Sequence, residues 1–254
     1  MATLHDDARI ALACLDLTQL GDADTAADVE RLCARAVGRF GAVAAVCVWP
    51  RFAALARARL PAAVRVAAVA NFPAGGSDVD AALADVHAIV DAGAQEVDVV
   101  MPWRAPDHAP ALLAAVRAAC RGLTLKVILE TGALPDDDAV RRACRIALDA
   151  GADFLKTSTG KAPVNAAPQA ARLLLQAIAD DVRARERVGF KPAGGIRTVA
   201  DAAVYIGLVR GVLGDAALTP ARFRIGASAL LDDIEAVLGG DARPPTAPTP
   251  VPRY

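Results

Sequence analysis

Asp153-Phe154-Leu155-Lys156-Thr157-Ser158-Thr159-Gly160-Lys161 and Val188-Gly189-Phe190-Lys191-Pro192-Ala193-Gly194-Gly195 share one plan: an apolar run that ends in a lysine and breaks into a glycine-containing turn. A core strand gains nothing from an ammonium group, and lysine is among the side chains least often buried. If both runs lie in one parallel sheet, their ends converge on the same face. Each cation then disfavours the charge on the other, which is a route to a neutral, nucleophilic amine.

Six further apolar or β-branched runs accompany these two, so candidate strands fall at 13–17, 43–48, 64–70, 96–100, 125–129, 153–156, 188–191 and 223–227. Between them lie segments with helical spacing, such as Val29, Leu32, Cys33, Ala36 and Val37, or Leu112, Leu113, Val116, Ala119 and Cys120. Strict alternation of strand and helix requires parallel strands. Eight units in 254 residues predict a single-domain (β/α)8 TIM barrel over 1–238, with its active site at the carboxyl ends of the strands. A doubly wound open sheet is the rival architecture. Asp16, Thr18, Asn71, Asp98, Glu130, Lys156 and Lys191 all fall at strand ends, an accumulation that favours a functional rim. Residues 239–254 carry Pro244, Pro245, Pro248, Pro250 and Pro252, cannot continue a helix, and are expected to form a flexible tail.

The 28 basic and 29 acidic side chains leave a net charge of −1, so no overall field favours nucleic acid or an anionic membrane, and any anion binding must be local. Five scattered cysteines, an odd number without a CxxC pair, argue against a disulfide framework and fit a reducing cytoplasm. The start, Met1 to Asp7, has acids where a signal peptide has a basic region, and no apolar run approaches a membrane span. His5, His87 and His108 are isolated from one another, which makes a histidine-built zinc site an unexpected outcome.

A free lysine has a pKa of about 10.4, so roughly one in a thousand is neutral at pH 7. Burial and a neighbouring cation lower that value, and the end of a barrel offers both. The alternative is that Lys156 and Lys191 are unrelated ion-pair partners. In Glu96-Val97-Asp98-Val99-Val100 the period of two puts Glu96 and Asp98 on the side opposite the valines, which in a barrel is the interior. A carboxylate there exchanges protons with a substrate through water, or else simply holds a lysine.

Gly194-Gly195 follow the seventh run. Gly226-Ala227-Ser228 follow the eighth and lead into a helix marked by Leu230, Leu231, Ile234, Val237 and Leu238. Amides exposed at glycine turns and helix N-termini bind anions, and barrels often place phosphate after strands seven and eight. Tight turns and a helix cap at Ser228 are the plainer reading. Ser158-Thr159-Gly160-Lys161 is no nucleotide loop, because Leu155 and Ala162 stand where that loop needs glycine and a hydroxyl residue; Thr159 and Lys161 remain candidates to hold a monophosphate. Cys47, near a strand end, reads as a small core residue.

From Asp16-Leu17-Thr18 to Leu231 the chain resembles the 2-deoxyribose-5-phosphate aldolase family. The stretches that carry the likeness are Asn71-Phe72-Pro73, Glu96 to Val100, Lys126-Val127-Ile128-Leu129-Glu130-Thr131-Gly132, Gly151 to Gly160, Gly189 to Arg197, and Gly226-Ala227-Ser228. The resemblance implies a class I aldolase that works without a cofactor or metal and reversibly cleaves 2-deoxy-D-ribose 5-phosphate to D-glyceraldehyde 3-phosphate and acetaldehyde. It implies that Lys156 forms the Schiff base, that Lys191 lowers its pKa, and that Asp98 relays protons through water. It also implies phosphate contacts from Gly160, Lys161, Gly194, Gly195, Gly226 and Ser228, and sugar contacts from the region of Asp16 and Thr18. Ala229 stands where many family members carry a second serine. The expected partners are a phosphorylated sugar and an aldehyde, with neither nucleic acid nor membrane, and a homodimer is left open. Tyr254, at the end of a tail that spans about 3.1 Å per residue when extended, is a candidate for the proton relay. A transaldolase-like Schiff-base aldolase and a noncatalytic sugar-phosphate-binding barrel are the alternatives.

Overall fold

The computed structural model describes residues 3–240. Its elements run α1 (Leu4–Ala13), β1 (Leu15–Thr18), α2 (Ala26–Arg35), a ribbon of β2 (Val37–Gly38) and β3 (Gly41–Ala42), β4 (Ala45–Val48), α3 (Pro50–Arg59), β5 (Arg65–Ala70), α4 (Val79–Asp91) and β6 (Glu96–Val100). The second half continues α5 (Ala109–Ala119), β7 (Thr124–Ile128), α6 (Asp137–Asp149), β8 (Phe154–Lys156), α7 (Pro168–Asp180), β9 (Gly189–Lys191), α8 (Val199–Leu213), β10 (Ile225–Ala227) and α9 (Leu230–Gly239).

Eight strands pair in parallel in the order β10-β1-β4-β5-β6-β7-β8-β9. Parallel bridges Phe190↔Phe223 and Ala193↔Gly226 join the two ends, so the sheet closes into the (β/α)8 barrel and the open-sheet rival is set aside. Closure leaves no unpaired strand edge, and the alternation of side chains then sorts residues cleanly. On β4 and β5, Val46, Val48, Val66 and Ala68 join the large core under the helices, whereas Cys47, Ala67 and Val69 form a small separate cluster inside the barrel.

The helices form where the pattern predicts them and stop for identifiable reasons. In α6 the residues Val140, Ala143, Cys144 and Ala147 recur at helical spacing and are buried, and Asp136 caps the first turn by accepting from Ala139 N. In α5, Leu112, Leu113 and Val116 are buried, each worth about 1.5–3 kcal/mol relative to exposure. Thr198 and Asp201 form a capping box that fixes the start of α8 beside the site.

Several boundaries differ from the sequence reading. Residue 13 ends α1, a helix that packs on α8 and α9, so the first strand starts at Leu15. Val37 continues the spacing of α2 yet leaves it: Ala36 caps the helix, and Val37 opens the ribbon and is 49% exposed. The eighth strand, read over 223–227, starts only at Ile225, and Gly226 and Ala227 are its last residues and not part of the turn that follows. The expected tail begins at Gly239, which is still the last residue of α9, and Gly240 is its left-handed cap. The rest of that tail, Tyr254 included, lies outside the described residues.

Candidate active site

Glu96 and Asp98 project from β6 into the barrel and meet Asp16 from β1, Lys126 from β7, Lys156 from β8, Lys191 from β9 and Arg224 just ahead of β10. All seven side chains are buried. Typical barrels fill this space with branched apolar residues; here ions fill it, and buried ions persist only when paired.

Lys156 Nζ donates to Asp98 Oδ2 at 2.7 Å, and Lys191 Nζ donates to the same oxygen at 2.7 Å and also to Asp16 Oδ2. Lys126 Nζ donates to Asp98 Oδ1 at 2.7 Å and sits 2.5 Å from Glu96 Oε2 and 3.2 Å from Asp16 Oδ2. Arg224 Nη1 donates to Asp16 Oδ1 at 2.7 Å and Nη2 to Glu96 Oε1 at 2.8 Å. Three carboxylates thus face four cations. Lys126 contacts three of the carboxyl groups, and Lys191 and Arg224 contact two each, but Lys156 contacts only Asp98. The surplus positive charge therefore falls on Lys156.

The proton affinities follow that count. Burial lowers the pKa of Lys156, and the charge on Lys191 lowers it further against the opposing pull of Asp98. Burial acts on Lys191 in the same sense, but Asp16 and Asp98 outweigh it and raise its pKa. Lys126 is raised well above the usual range: burial opposes, and Asp16, Asp98 and Glu96 prevail. Burial favours the neutral acid at Asp98, yet Lys126, Lys156 and Lys191 hold its pKa well below the usual carboxylate range. Two lysines at one oxygen thus behave oppositely, and the less compensated one is poised to lose its proton.

Lys156 is also the amine of this ionic network that reaches the mouth. A cavity of about 570 Å³ opens at the carboxyl ends of the strands, with Lys156 at its base. Thr18, Thr159, Gly160, Lys161, Gly194, Gly195, Gly226 and Ser228, all expected from the sequence, line it, and Gln19, Asn165 and Arg197 join them. Asp98 and Lys191 lie beneath its floor. So does Asp16, expected near sugar hydroxyls; its carboxylate is committed to Lys191, Lys126 and Arg224. A depression of about 660 Å³ at the other end of the barrel is lined by the Arg117–Asp153 pair and carries no lysine, so size alone does not select the site.

Backbone conformation shapes the upper wall. Gly160, Gly194 and Gly195 have φ of 83°, 85° and 81°, the left-handed region that L side chains avoid. A Cβ on Gly194 would lie 2.7 Å from the Asn165 side chain, and one on Gly226 would lie 3.1 Å from Lys191 Cε. No side chain caps α9, so the Ser228 hydroxyl is not spent as a helix cap. Thr159 Oγ1 donates to Glu130 Oε2 at 2.6 Å and accepts from Lys161 N at 3.0 Å, which ties down the loop after β8. Glu130 itself has φ 52°, ψ 53°, a strained position on the rim for a residue with a Cβ. Lys161 Nζ pairs at 3.1 Å with Asp22 on the loop after β1, and both are solvent-accessible. Cys47 faces the barrel interior, where burial and then Asp98 push its thiol up and away from thiolate chemistry.

Sequence reading missed Lys126 and Arg224 as members of the ionic network. Lys126 carried a usable signal, since it pairs in register with Asp98 and so shares its inward phase. Arg224 sits among other arginines in Arg222-Phe223-Arg224 and carried none.

Fold and site define a (β/α)8-barrel enzyme with one undercompensated lysine at the base of a glycine-walled cavity. Comparison with known proteins narrows this class: residues 10–233 match the DeoC/LacD family aldolase profile, and the chain belongs to that family. It is 47% identical over 244 residues to a deoxyribose-phosphate aldolase of Agrobacterium fabrum (strain C58 / ATCC 33970), covering 93% of each chain. Among solved structures it resembles one from Toxoplasma gondii ME49 that carries the provisional name deoxyribose-phosphate aldolase (TM-score 0.84, 25% identity, 93% of this chain and 95% of that one). It also resembles the tetrameric deoxyribose phosphate aldolase of Aeropyrum pernix (TM-score 0.74, 25% identity, 93% of each chain).

Proposed function

We propose that this aldolase reversibly cleaves 2-deoxy-D-ribose 5-phosphate to D-glyceraldehyde 3-phosphate and acetaldehyde through a Schiff base on Lys156. The observation that carries the reading is the single undercompensated amine at the base of the cavity. Neutral Lys156 attacks C1 of the open-chain sugar, and loss of water gives a protonated imine. Products of two and three carbons require the C2–C3 bond to break; its electrons flow into the imine as the C3 hydroxyl loses its proton, leaving an enamine. Protonation at C2 and hydrolysis then release acetaldehyde and free the amine.

Asp98 is held ionised, so its part is to accept and pass on protons beside Lys156, through water, more than to store one. Lys191 stays charged and suppresses protonation of its neighbour. The amides at Gly160 and Gly195, with Lys161 and Ser228, hold the phosphate in a turn shaped by Gly194 and Gly226, whose own amides donate to backbone carbonyls; Thr18 faces the sugar, and Thr159 acts by tying the loop of Gly160 and Lys161 to Glu130. Asp16 acts from below by fixing Lys191. Tyr254 is assigned to the relay that protonates the enamine, on the chemistry of its phenol alone; unchanged deuterium uptake into acetaldehyde in Tyr254→Phe removes it from that role.

The family match and the Agrobacterium relative support this substrate over a transaldolase-like one. Coupled assays across sugar phosphates test it: acetaldehyde should appear from deoxyribose 5-phosphate, and preferential turnover of a ketose phosphate would refute it. Among the described residues no helix is long and apolar enough to cross a membrane. We assign the enzyme to the cytoplasm, with a homodimer left open and a barrel domain that runs through Gly239, the last residue of α9; fractionation, light scattering and limited proteolysis check these readings.

A further inference from the structure

Arg224 and Glu96 take no part in the chemistry above, yet they are bound at both ends of a fork: Arg224 Nη2 to Glu96 Oε1 at 2.8 Å and Nη1 to Glu96 Oε2 at 3.1 Å. From this pair two chains of direct ion pairs climb through the barrel. One runs Arg224, Asp16, Lys191, Asp98, Lys156; the other runs Glu96, Lys126, Asp98, Lys156. Beneath the pair a second cavity of about 580 Å³ opens at the amino-terminal mouth, and Glu96 and Arg224 line it. The pair is therefore the lower boundary of the same ionic column whose upper boundary is Lys156.

We propose that Arg224 and Glu96 are positioning residues that fix the charge balance of the barrel core from the mouth opposite the active site, and so set the pH at which Lys156 becomes a nucleophile. The inference rests on Lys156 being the imine-forming amine. Four cations against three carboxylates leave one surplus charge, which Lys156 sheds. Without the Arg224 charge, three cations meet three carboxylates and Lys156 keeps its proton to a higher pH. Without the Glu96 charge the surplus becomes two, and Lys156 loses its proton more readily. Removal of both restores a surplus of one.

The surroundings leave this count intact. Lys156 faces Asp98, Lys191 and the Cys47 thiol, and Arg224 faces Asp16, Glu96, the Cys14 thiol and the Phe154 ring at 5.6 Å. Burial pushes both thiols up, that of Cys14 to about 12, so both remain neutral. Arg65, Asp153 and Arg187 ring the lower cavity, and Asp153 is paired with Arg187 and Arg117.

The test measures, against pH, the rate at which acetaldehyde is trapped on Lys156 by borohydride in the full chain. The panel is the parent, Arg224→Met, Glu96→Gln, the double variant and Arg224→Lys, each with a thermal melt. Arg224→Met should move the midpoint up by at least about half a pH unit, about threefold less neutral amine at a given pH. Glu96→Gln should move it down by a similar amount, whereas the double variant and Arg224→Lys should keep the parent midpoint. If Arg224→Met does not fold, Glu96→Gln and the double variant, which leaves no unpaired charge, still decide. Shifts of the same sign, or unmoved midpoints with lowered melting temperatures, would make the pair merely structural and overturn the proposal. A parent that traps acetaldehyde elsewhere than on Lys156 would instead bring down the reading of the nucleophile on which the proposal rests.

Discussion

The barrel core and the cavity wall are built from opposite materials. Below Lys156, position is set by side-chain charge: seven ionic groups fix one another through contacts of 2.5–3.2 Å. Above it, position is set by backbone: Gly160, Gly194 and Gly195 turn through left-handed conformations that L side chains avoid, and at Gly194 a Cβ would also meet the Asn165 side chain. The first arrangement controls where a proton resides, and the second controls where an anion rests. Chemistry and recognition should therefore be separable by mutation.

Lys156→Met breaks the comparison most severely. Turnover should fall by at least about a thousandfold, because no other amine of the ionic column reaches the cavity and Lys161, which lines it, is paired with Asp22, while phosphate binding by the intact wall persists in calorimetry. The same substitution should stabilise the fold. The pKa of Lys156 is lower in the folded chain than in the unfolded one, so the unfolded chain holds more protons between those two values and stability rises with pH across that window. Below the window the full penalty is present, and deleting the amine removes it while Asp98 keeps Lys126 and Lys191. A gain of about 1 kcal/mol would raise the melting temperature by roughly 2–4 °C.

Lys191→Leu probes the core without touching the nucleophile. It removes both a neighbouring cation and a competitor for Asp98, and each loss raises the pKa of Lys156. The activity optimum should move toward alkaline pH by about one unit or more. An unchanged profile with retained activity would show that burial alone activates Lys156.

Gly194→Ala probes the wall. The left-handed position costs a residue with a Cβ about 1–2 kcal/mol, and the Asn165 side chain stands in its way. KM for deoxyribose 5-phosphate should rise about tenfold, with unphosphorylated deoxyribose little affected. Equal losses for both sugars would place the defect in the core. Ala229→Ser is the mildest change, adding a hydroxyl at the exposed turn before α9. One net hydrogen bond of about 1 kcal/mol would improve discrimination for the phosphorylated sugar roughly fivefold. Equal improvement for both sugars would locate the effect away from phosphate.

What could be read from the sequence follows the same division. Strands were visible because buried parallel strands are apolar runs, and Lys156 and Lys191 stood out because a charge at the end of such a run has no packing rationale. Gly194 and Gly195 were legible as turn residues for the same reason that the structure needs them, their positive φ. Charge pairing across the barrel was not legible. Asp16 looked like a rim residue because its place in the strand fixes its height but not its partners, and those come from β9 and from Arg224, 175 and 208 positions away. Arg224 was hidden by the many surface arginines of this chain; Glu130 was legible as a rim residue, but its left-handed backbone angle is one that no side-chain pattern announces. Val37 kept the helical rhythm of α2, but Gly38 and Gly41 allow a tight ribbon and the chain takes it.

The central claim is that one amine of the ionic column, Lys156, is the nucleophile. Incubation with acetaldehyde and borohydride, followed by peptide mass mapping, tests it directly. A single two-carbon adduct on Lys156, absent in Lys156→Met, is the expected result. Label found mainly on Lys191 or Lys161, or retained in Lys156→Met, would contradict it.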